Sequence, residues 1–395
     1  MKYVSGPYTQ GQLLRAIQEI EIALTERFLR GGVITDAAEQ RSWRERVQDA
    51  SFGRNTVMYD DQGNPSVMVV IPLFTEADVI AGGRNMPHPA FVVNGVTKPL
   101  LYISKYQCIT TGAGVTLRTL SLKHQDPVVY TTFDNSLTAC KQKGTGWHLM
   151  TNAEWAAIAL WCKAKGFMPR GNNLYGADNA VAAEKGIPSF YYDSAGTKYI
   201  GRNLSGSGPV PWTHDGTPFG ICDLNGNVWE WVGGMRLNVG EIQVLADNNA
   251  ADNTKDQAAA SVEWKAILQD GSLVAPGTAL TLKYDFVAAP ADGGAARINT
   301  TTQANPSAFY SYNTLETLAV AGGVTVPNLL KLLGMAPVDA NHGADGLWAN
   351  PNGERLPVRG GTWGNGSGAG VFALYLSAPR AYSAYNLGFR AAFVG

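Results

Sequence analysis

The first regular pattern along the chain is a stripe. Leu13, Ile17, Ile20, Leu24 and Phe28 recur at steps of three and four residues, which places them on one side of a helix. A second, polar helix is predicted around 36–49. The stripe has two readings, a helix folded back on its own domain or an assembly stalk in which copies bundle along it. Past the turn formers Tyr59-Asp-Asp-Gln-Gly-Asn-Pro, where Asp60 and Asp61 serve turn chemistry, Val67-Met-Val-Val-Ile-Pro-Leu reads as a buried strand. Segments 99–110 and 126–133 are further strand candidates. The stretch 152–166 puts Trp155, Ile158, Ala159 and Cys162 on one helical face, with Thr151 as N-cap and Glu154 completing a capping box.

From about 236 to 341 the chain turns to Ala, Asp, Asn, Thr and Val, and Trp264 is its one tryptophan. This reads as an insertion, with strands within 271–286 and a short helix at 327–333, inside a domain that resumes at Gly346. The predicted division is a helical or assembly segment (1–65), the first part of a mixed α+β domain (66–235), the insertion (236–345) and the C-terminal part of that domain (346–395).

The last segment interleaves two kinds of residue. Trp363, Phe372, Leu374, Leu376, Leu387 and Phe389 are expected core anchors. Between them lie Thr362, Gly364, Gly368, Tyr375, Ser377, Ala378, Ala381, Tyr382, Ala384 and Tyr385. Such an alphabet suits a binding surface, because tyrosine offers a large amphipathic contact while freezing few torsions and small residues leave room for shape.

Composition narrows the function classes. At 395 residues the chain can hold two or three domains or one with an insertion. Its 45 glycines and 16% charged residues point to a loop-rich globular protein. A net charge of −1 gives no basic field for phosphates, so neither nucleic acid nor an anionic membrane is an expected partner. The N-terminus lacks the apolar stretch of a secretory signal and no segment reaches the ~18 apolar residues of a membrane span. Synthesis in the cytoplasm without membrane insertion is expected.

Catalytic signatures are sparse. Cys108, Cys140, Cys162 and Cys222 are widely spaced without a CxxC pair, and buried free thiols are the simplest reading. His88, His124, His148, His214 and His342 stand singly, without the close spacing common in metal sites. No P-loop, Rossmann or GxSxG motif is present.

Four segments in order carry a resemblance: Tyr102-Ile-Ser-Lys-Tyr, Gly146-Trp-His-Leu-Met-Thr-Asn-Ala-Glu-Trp, Asp223-Leu-Asn-Gly-Asn-Val-Trp-Glu-Trp, and Arg359-Gly-Gly-Thr-Trp with Leu387-Gly-Phe-Arg. Together they resemble the formylglycine-generating-enzyme branch of the C-type lectin fold, over roughly 66–235 and 346–395. The tail is further similar to variable proteins of diversity-generating retroelements. In that family a template repeat is copied with adenine-specific errors, so positions coded by asparagine become almost anything an NNC codon encodes. NNC codons exclude Lys, Glu, Gln, Met and Trp, and the ten candidates contain none of these.

The resemblance implies a non-enzymatic receptor-binding protein of the phage tail. It would set host tropism through contact with a bacterial surface receptor, with Trp229, Trp231, Trp363, Phe372 and Phe389 as scaffold and a homotrimer as the assembly. A virion tail tip is the implied location, and the bacterial cell surface the alternative. A fixed structural tail or capsid-decoration protein is a rival reading. An oxidase of the enzyme branch is another, although that branch needs a cysteine pair in the C-terminal segment and all cysteines here end at Cys222. Asp223, Gly226, Val228 and Glu230 match positions that bind calcium in the enzyme branch, and hard oxygen ligands suit that ion. The alternative is structural: a turn at Asn225–Asn227, core packing by Trp229 and Trp231, and Glu230 satisfying buried donors.

Overall fold

The structure, a computed structural model, describes residues 10–287, 294–302 and 311–395. The first nine residues, where no secretory stretch is expected, lie outside the described residues. The stripe becomes helix α1 (Gln10–Gly31) and the polar segment α2 (Ala37–Ala50), capped by Asp36, whose Oδ1 accepts the Glu39 N–H at 2.7 Å. Ile17 and Leu24 are fully buried against Val47, Val57, Val67 and Phe219. Thus α1 lies on its own domain, with Leu13 and Ile20 at the edge of the same cluster.

A buried ion pair fixes α1 there. Lys105 Nζ donates to Glu21 Oε1 at 2.7 Å, to Asn55 Oδ1 at 3.0 Å and to the Pro218 carbonyl at 2.8 Å, and Tyr106 Oη donates to Glu21 Oε2. The side chains of Lys105 and Glu21 are 2% and 1% exposed. All three ammonium hydrogens therefore have acceptors, the condition under which a buried charge is tolerated.

One sheet runs in the order Asn55–Tyr59, Pro65–Pro72, Leu100–Ser104, Ala391–Phe393, Trp147–Leu149, antiparallel throughout. The C-terminal strand is therefore held on both sides by strands made far earlier in the chain, Ala392 pairing with Ile103 and with His148. The segment 126–133, expected as a strand, forms none. Tyr130 has φ of 57°, which breaks an extended run, and Thr132 caps helix α3 (Phe133–Lys141) instead. Helix α4 (Asn152–Ala164) starts with the expected capping box: Thr151 Oγ1 accepts from Glu154 N and Glu154 Oε2 accepts from Thr151 N.

The second sheet carries the tail. Glu354–Gly360 and Gly370–Ala378 pair antiparallel, with a bulge between Leu356 and Val358, and Trp229–Trp231 lies between Glu354–Gly360 and Leu387–Phe389. Residues 236–345 extend this sheet: Met235–Asn238 pairs with Glu354–Gly360, and Glu241–Val244, Lys283–Phe286 and Ala296–Asn299 follow outward. A short helix α5 (Asn328–Leu332) packs on α4. The segment is continuous with the tail's sheet and shares its core through Ile242, Tyr284 and Ile298.

Glu21→Ala should leave Lys105 buried without its counter-charge and cost about 3–5 kcal/mol, read as a lower denaturation midpoint. An unchanged midpoint would mean that the pair does not hold α1.

Candidate functional site

Two buried arginines bracket the tail. At its start Arg359, 1% exposed, donates from Nε and Nη2 to Asn152 Oδ1 and from Nη2 to the Leu333 and Gly334 carbonyls. Burial lowers its pKa to about 10. At the end Arg390 donates from Nε to Glu230 Oε2 and from Nη2 to Oε1, both at 2.6 Å. Between them Trp363, Phe372 and Phe389 are buried, as are Trp229 and Trp231. Trp155 Nε1 donates to the Val371 carbonyl and Trp231 Nε1 to that of Thr131, so the indoles fix backbone as well as volume.

The ten candidate positions divide. Gly364, Ala381 and Tyr382 are exposed, and Tyr375 and Tyr385 are half-buried. Thr362, Gly368, Ser377, Ala378 and Ala384 are buried, so these five do not stand as open contacts with their present side chains. Thr362 has a local role: its N–H and hydroxyl both donate to Asn365 Oδ1, closing a turn. Ala378 and Ala384 sit within the apolar cluster of Trp229 and Trp231. Ser377 is different, because its Oγ is buried with no hydrogen-bond partner among the described residues.

The glycines of the tail divide as well. A Cβ built on Gly364 would meet nothing closer than Tyr175 Oη at 3.6 Å, and one on Gly368 would sit 3.5 Å from Trp348 and Tyr312 Oη. Both have ordinary backbone angles, so a side chain fits. In contrast, Gly361 has φ of 87° and a Cβ there would lie 2.5 Å from that of Ala369. At Gly370 a Cβ would collide with the Asp345 carboxylate, and at Gly388 with the Val128 carbonyl. The two glycines singled out in the sequence are two that can accept a side chain.

Aromatic residues from outside the tail crowd the same region, and the sequence reading passed over them. Tyr192 stacks on Tyr385 with centroids 5.8 Å apart and planes 2° apart. Burial, and then the neighbouring Tyr192, raise the Tyr385 pKa. Tyr175 packs on Tyr199 at 4.9 Å, Tyr312 on Trp348 at 5.0 Å, and Phe190 on Trp363 at 6.0 Å. Tyr130, 69% exposed, donates its N–H to the Ala384 carbonyl. One sequence signal existed for Tyr192 and Tyr199: they flank Asp193-Ser-Ala-Gly196, a hairpin turn between strands Tyr191–Ser194 and Thr197–Ile200.

The calcium expectation does not fit the side chains present. Gln107 Nε2 lies 3.4 Å from the Asp223 carbonyl, 3.2 Å from the Val228 carbonyl and 2.9 Å from Glu230 Oε1. An amide donor thus stands among the oxygens a cation would need, and both Glu230 oxygens already serve Arg390. Asp223 accepts from Gly206 N at 2.7 Å, and burial raises its pKa to about 6. The Gly226 N–H donates to the Gly360 carbonyl, tying this turn to the start of the tail. Among the described residues no cluster of three or more His, Cys, Asp or Glu has the arrangement of a metal site. The histidines lie apart; His88, His124 and His214 are pushed down to about 4 by burial, and His148 pairs with Glu154 at 2.8 Å.

Gly364→Asn, at an exposed position, should change stability by no more than about 0.5 kcal/mol, and Gly368→Asn, at a buried position without a positive φ, should cost more than that but less than Gly361→Asn. Gly361→Asn and Gly370→Asn should each cost several times the Gly364→Asn change, or abolish folding, through strain and overlap. Thermal unfolding of the four variants checks this; similar losses at all four would contradict the division.

Residues 84–262 match a protein-family model described as the sulfatase-modifying factor enzyme 1-like domain. Among curated proteins the chain finds no match. Among solved structures it is similar to Treponema denticola variable protein 1, at 12% identity over 86% of this chain and 99% of that one, with a TM-score of 0.33. It is also similar to PvdO from Pseudomonas aeruginosa, at 15% identity over 86% and 98% of the two chains and a TM-score of 0.31. The U1 variant of the Major Tropism Determinant is similar at 12% identity over 86% and 71%, with a TM-score of 0.28. The chain is α+β, and its residues 84–262 match the model of the sulfatase-modifying factor enzyme 1-like domain.

Proposed function

We propose that the chain is a non-enzymatic, ligand-binding protein whose C-terminal face is diversified by a retroelement and recognises a bacterial surface receptor from a phage tail. The observation that carries this reading is the sorting of the tail. Positions held by Arg359, Gly361, Trp363, Gly370, Phe372 and Arg390 are locked by burial, hydrogen bonds or backbone angle. Gly364, Ala381 and Tyr382 lie exposed, where a side chain can change without touching those locks, and Tyr375 is half-buried beside them, whereas Tyr385 packs on Trp363 with centroids 5.7 Å apart. A fold selected only to pack against tail neighbours has no need for such interleaving.

Tyr375, Tyr382 and Tyr385 supply anchors of the kind that dominate interfaces. A homotrimer would present several such faces and raise avidity without new contacts.

The oxidase alternative lacks its reactive group. The cysteines are all buried, and burial raises every one of their thiol pKa values, to about 12 at Cys222. A thiol so held is a poor source of thiolate. Among the described residues no helix is long and apolar enough to cross a membrane.

The experiment is to sequence the DNA around the gene. The reading expects a non-coding near-repeat of codons 359–392, differing only at adenines, beside a reverse transcriptase. A tail with no such repeat would leave a fixed structural protein as the better account.

A further inference from the structure

We infer that Lys105 and Asn55 form a covalent cross-link by themselves. The Lys105 amine displaces ammonia from the Asn55 side-chain amide, with Glu21 carrying the proton, and an isopeptide bond joins Nζ to Cγ. The inference is independent of the function proposed above, and the ion pair of Lys105 and Glu21 is the state before reaction.

The three groups meet in a space closed to water. Lys105 and Glu21 are each 1% exposed and Asn55 is fully buried, beside an apolar cluster that includes Tyr106 and Phe219. Lys105 Nζ lies 2.7 Å from Glu21 Oε1 and 3.0 Å from Asn55 Oδ1, the oxygen bonded to the carbon under attack. The amide is held in one orientation, because Nδ2 donates to the Phe219 carbonyl at 2.7 Å and to the Arg54 carbonyl at 3.0 Å. Turned over, it would set its NH2 group against the ammonium and its oxygen against two carbonyls, so the carbonyl end faces Lys105. The other Glu21 oxygen accepts from Tyr106 Oη. Burial, and then Glu21 itself, raise the pKa of that phenol, so it stays a donor and Oε1 is left to Lys105.

Moving one proton across the 2.7 Å bond from Lys105 to Glu21 removes two charges from the interior, where each is costly. It also frees the nitrogen lone pair. Rotation about the Cε–Nζ bond turns that pair to Asn55 Cγ, and the Nζ–Cγ bond forms as the carbonyl π electrons move onto Oδ1. When they return, the Cγ–Nδ2 bond breaks. Of the three ammonium protons, one stays on the new amide nitrogen and one converts the departing NH2 group to ammonia. The third leaves with it as ammonium and restores the Glu21 carboxylate. No oxidant or further reactant is needed. Amides resist amines in water, but reactants held in this way reach effective molarities of about 10⁵–10⁸ M, and water is excluded from competing. The new N–H keeps an acceptor in the Pro218 carbonyl, 2.8 Å from Nζ. The bond ties the start of the outer strand Asn55–Tyr59 to the residue that follows Leu100–Ser104, beneath α1.

The test is the mass of the purified full chain under denaturing conditions, followed by fragmentation of a proteolytic digest. We expect a deficit of one ammonia, about 17 Da, and a branched peptide joining residues 55 and 105. Asn55→Asp should lose water in place of ammonia, about 18 Da. Glu21→Gln, checked for folding by thermal unfolding, should keep its full mass. An unsubstituted chain at the full mass of its sequence would overturn the inference, whatever the variants do. So would a deficit that fragmentation places at an Asn-Gly step such as Asn94-Gly95 or Asn352-Gly353, where succinimide formation also expels ammonia. A folded Glu21→Gln chain that cross-links as fully as the unsubstituted one would overturn the role given to Glu21.

Discussion

The guanidinium of Arg390 is the point at which the molecule is tied together. It makes two hydrogen bonds to Glu230, a third to the Ser104 carbonyl and a fourth to that of Cys222, with both charged side chains at most 1% exposed. These contacts join the first sheet, the loop before Trp229 and the C-terminal strand, segments separated by more than a hundred residues in sequence. A buried pair of this kind is a weak source of net stability but a strong constraint on register, because any other arrangement leaves a charge without a partner. Gln107 completes the cluster by donating to Glu230 while its own carbonyl accepts from Asn227.

Function follows from the separation this constraint makes available. With Arg359 held at one end of the tail and Arg390 at the other, the backbone between them is fixed by groups that do not face solvent. The buried indoles of Trp155 and Trp231 hold carbonyls next to the tail, so its path is set from beneath. Under the proposed function, side chains on the outer side then affect stability little and recognition greatly. The strands that extend the sheet also meet this anchor, since Tyr284 Oη donates to the Met335 carbonyl close to where Arg359 is held by Leu333 and Gly334.

Much of this was legible in the sequence because it depended on large or chemically distinctive residues. Trp155, Trp231, Trp363, Phe372 and Phe389 announce burial by size, and the Thr151/Glu154 capping box by spacing. What failed depended on information that small residues and distant contacts do not carry. Ser377, Ala378 and Ala384 suit a surface or a core equally well, and only the register of Gly370–Ala378 and the return through Leu387 place them inside. The segment 126–133 has strand-like composition, yet Val128 donates its N–H to the distant Cys108 carbonyl and Tyr130, with φ of 57°, donates to that of Ala384, neither of which is a neighbour in sequence. Tyr192 and Tyr312 were missed because nothing local ties them to a tail that lies far along the chain.

The central claim is that one stretch of backbone carries two populations of positions, locked and exchangeable. Saturation mutagenesis of residues 359–392, scored by resistance of the displayed full chain to proteolysis, measures this directly. The account predicts broad tolerance at Gly364, Tyr375, Ala381 and Tyr382, alternating with intolerance at Arg359, Gly361, Trp363, Gly370, Phe372, Phe389 and Arg390. Tolerance spread evenly along the stretch, or losses concentrated at the tyrosines, would contradict it.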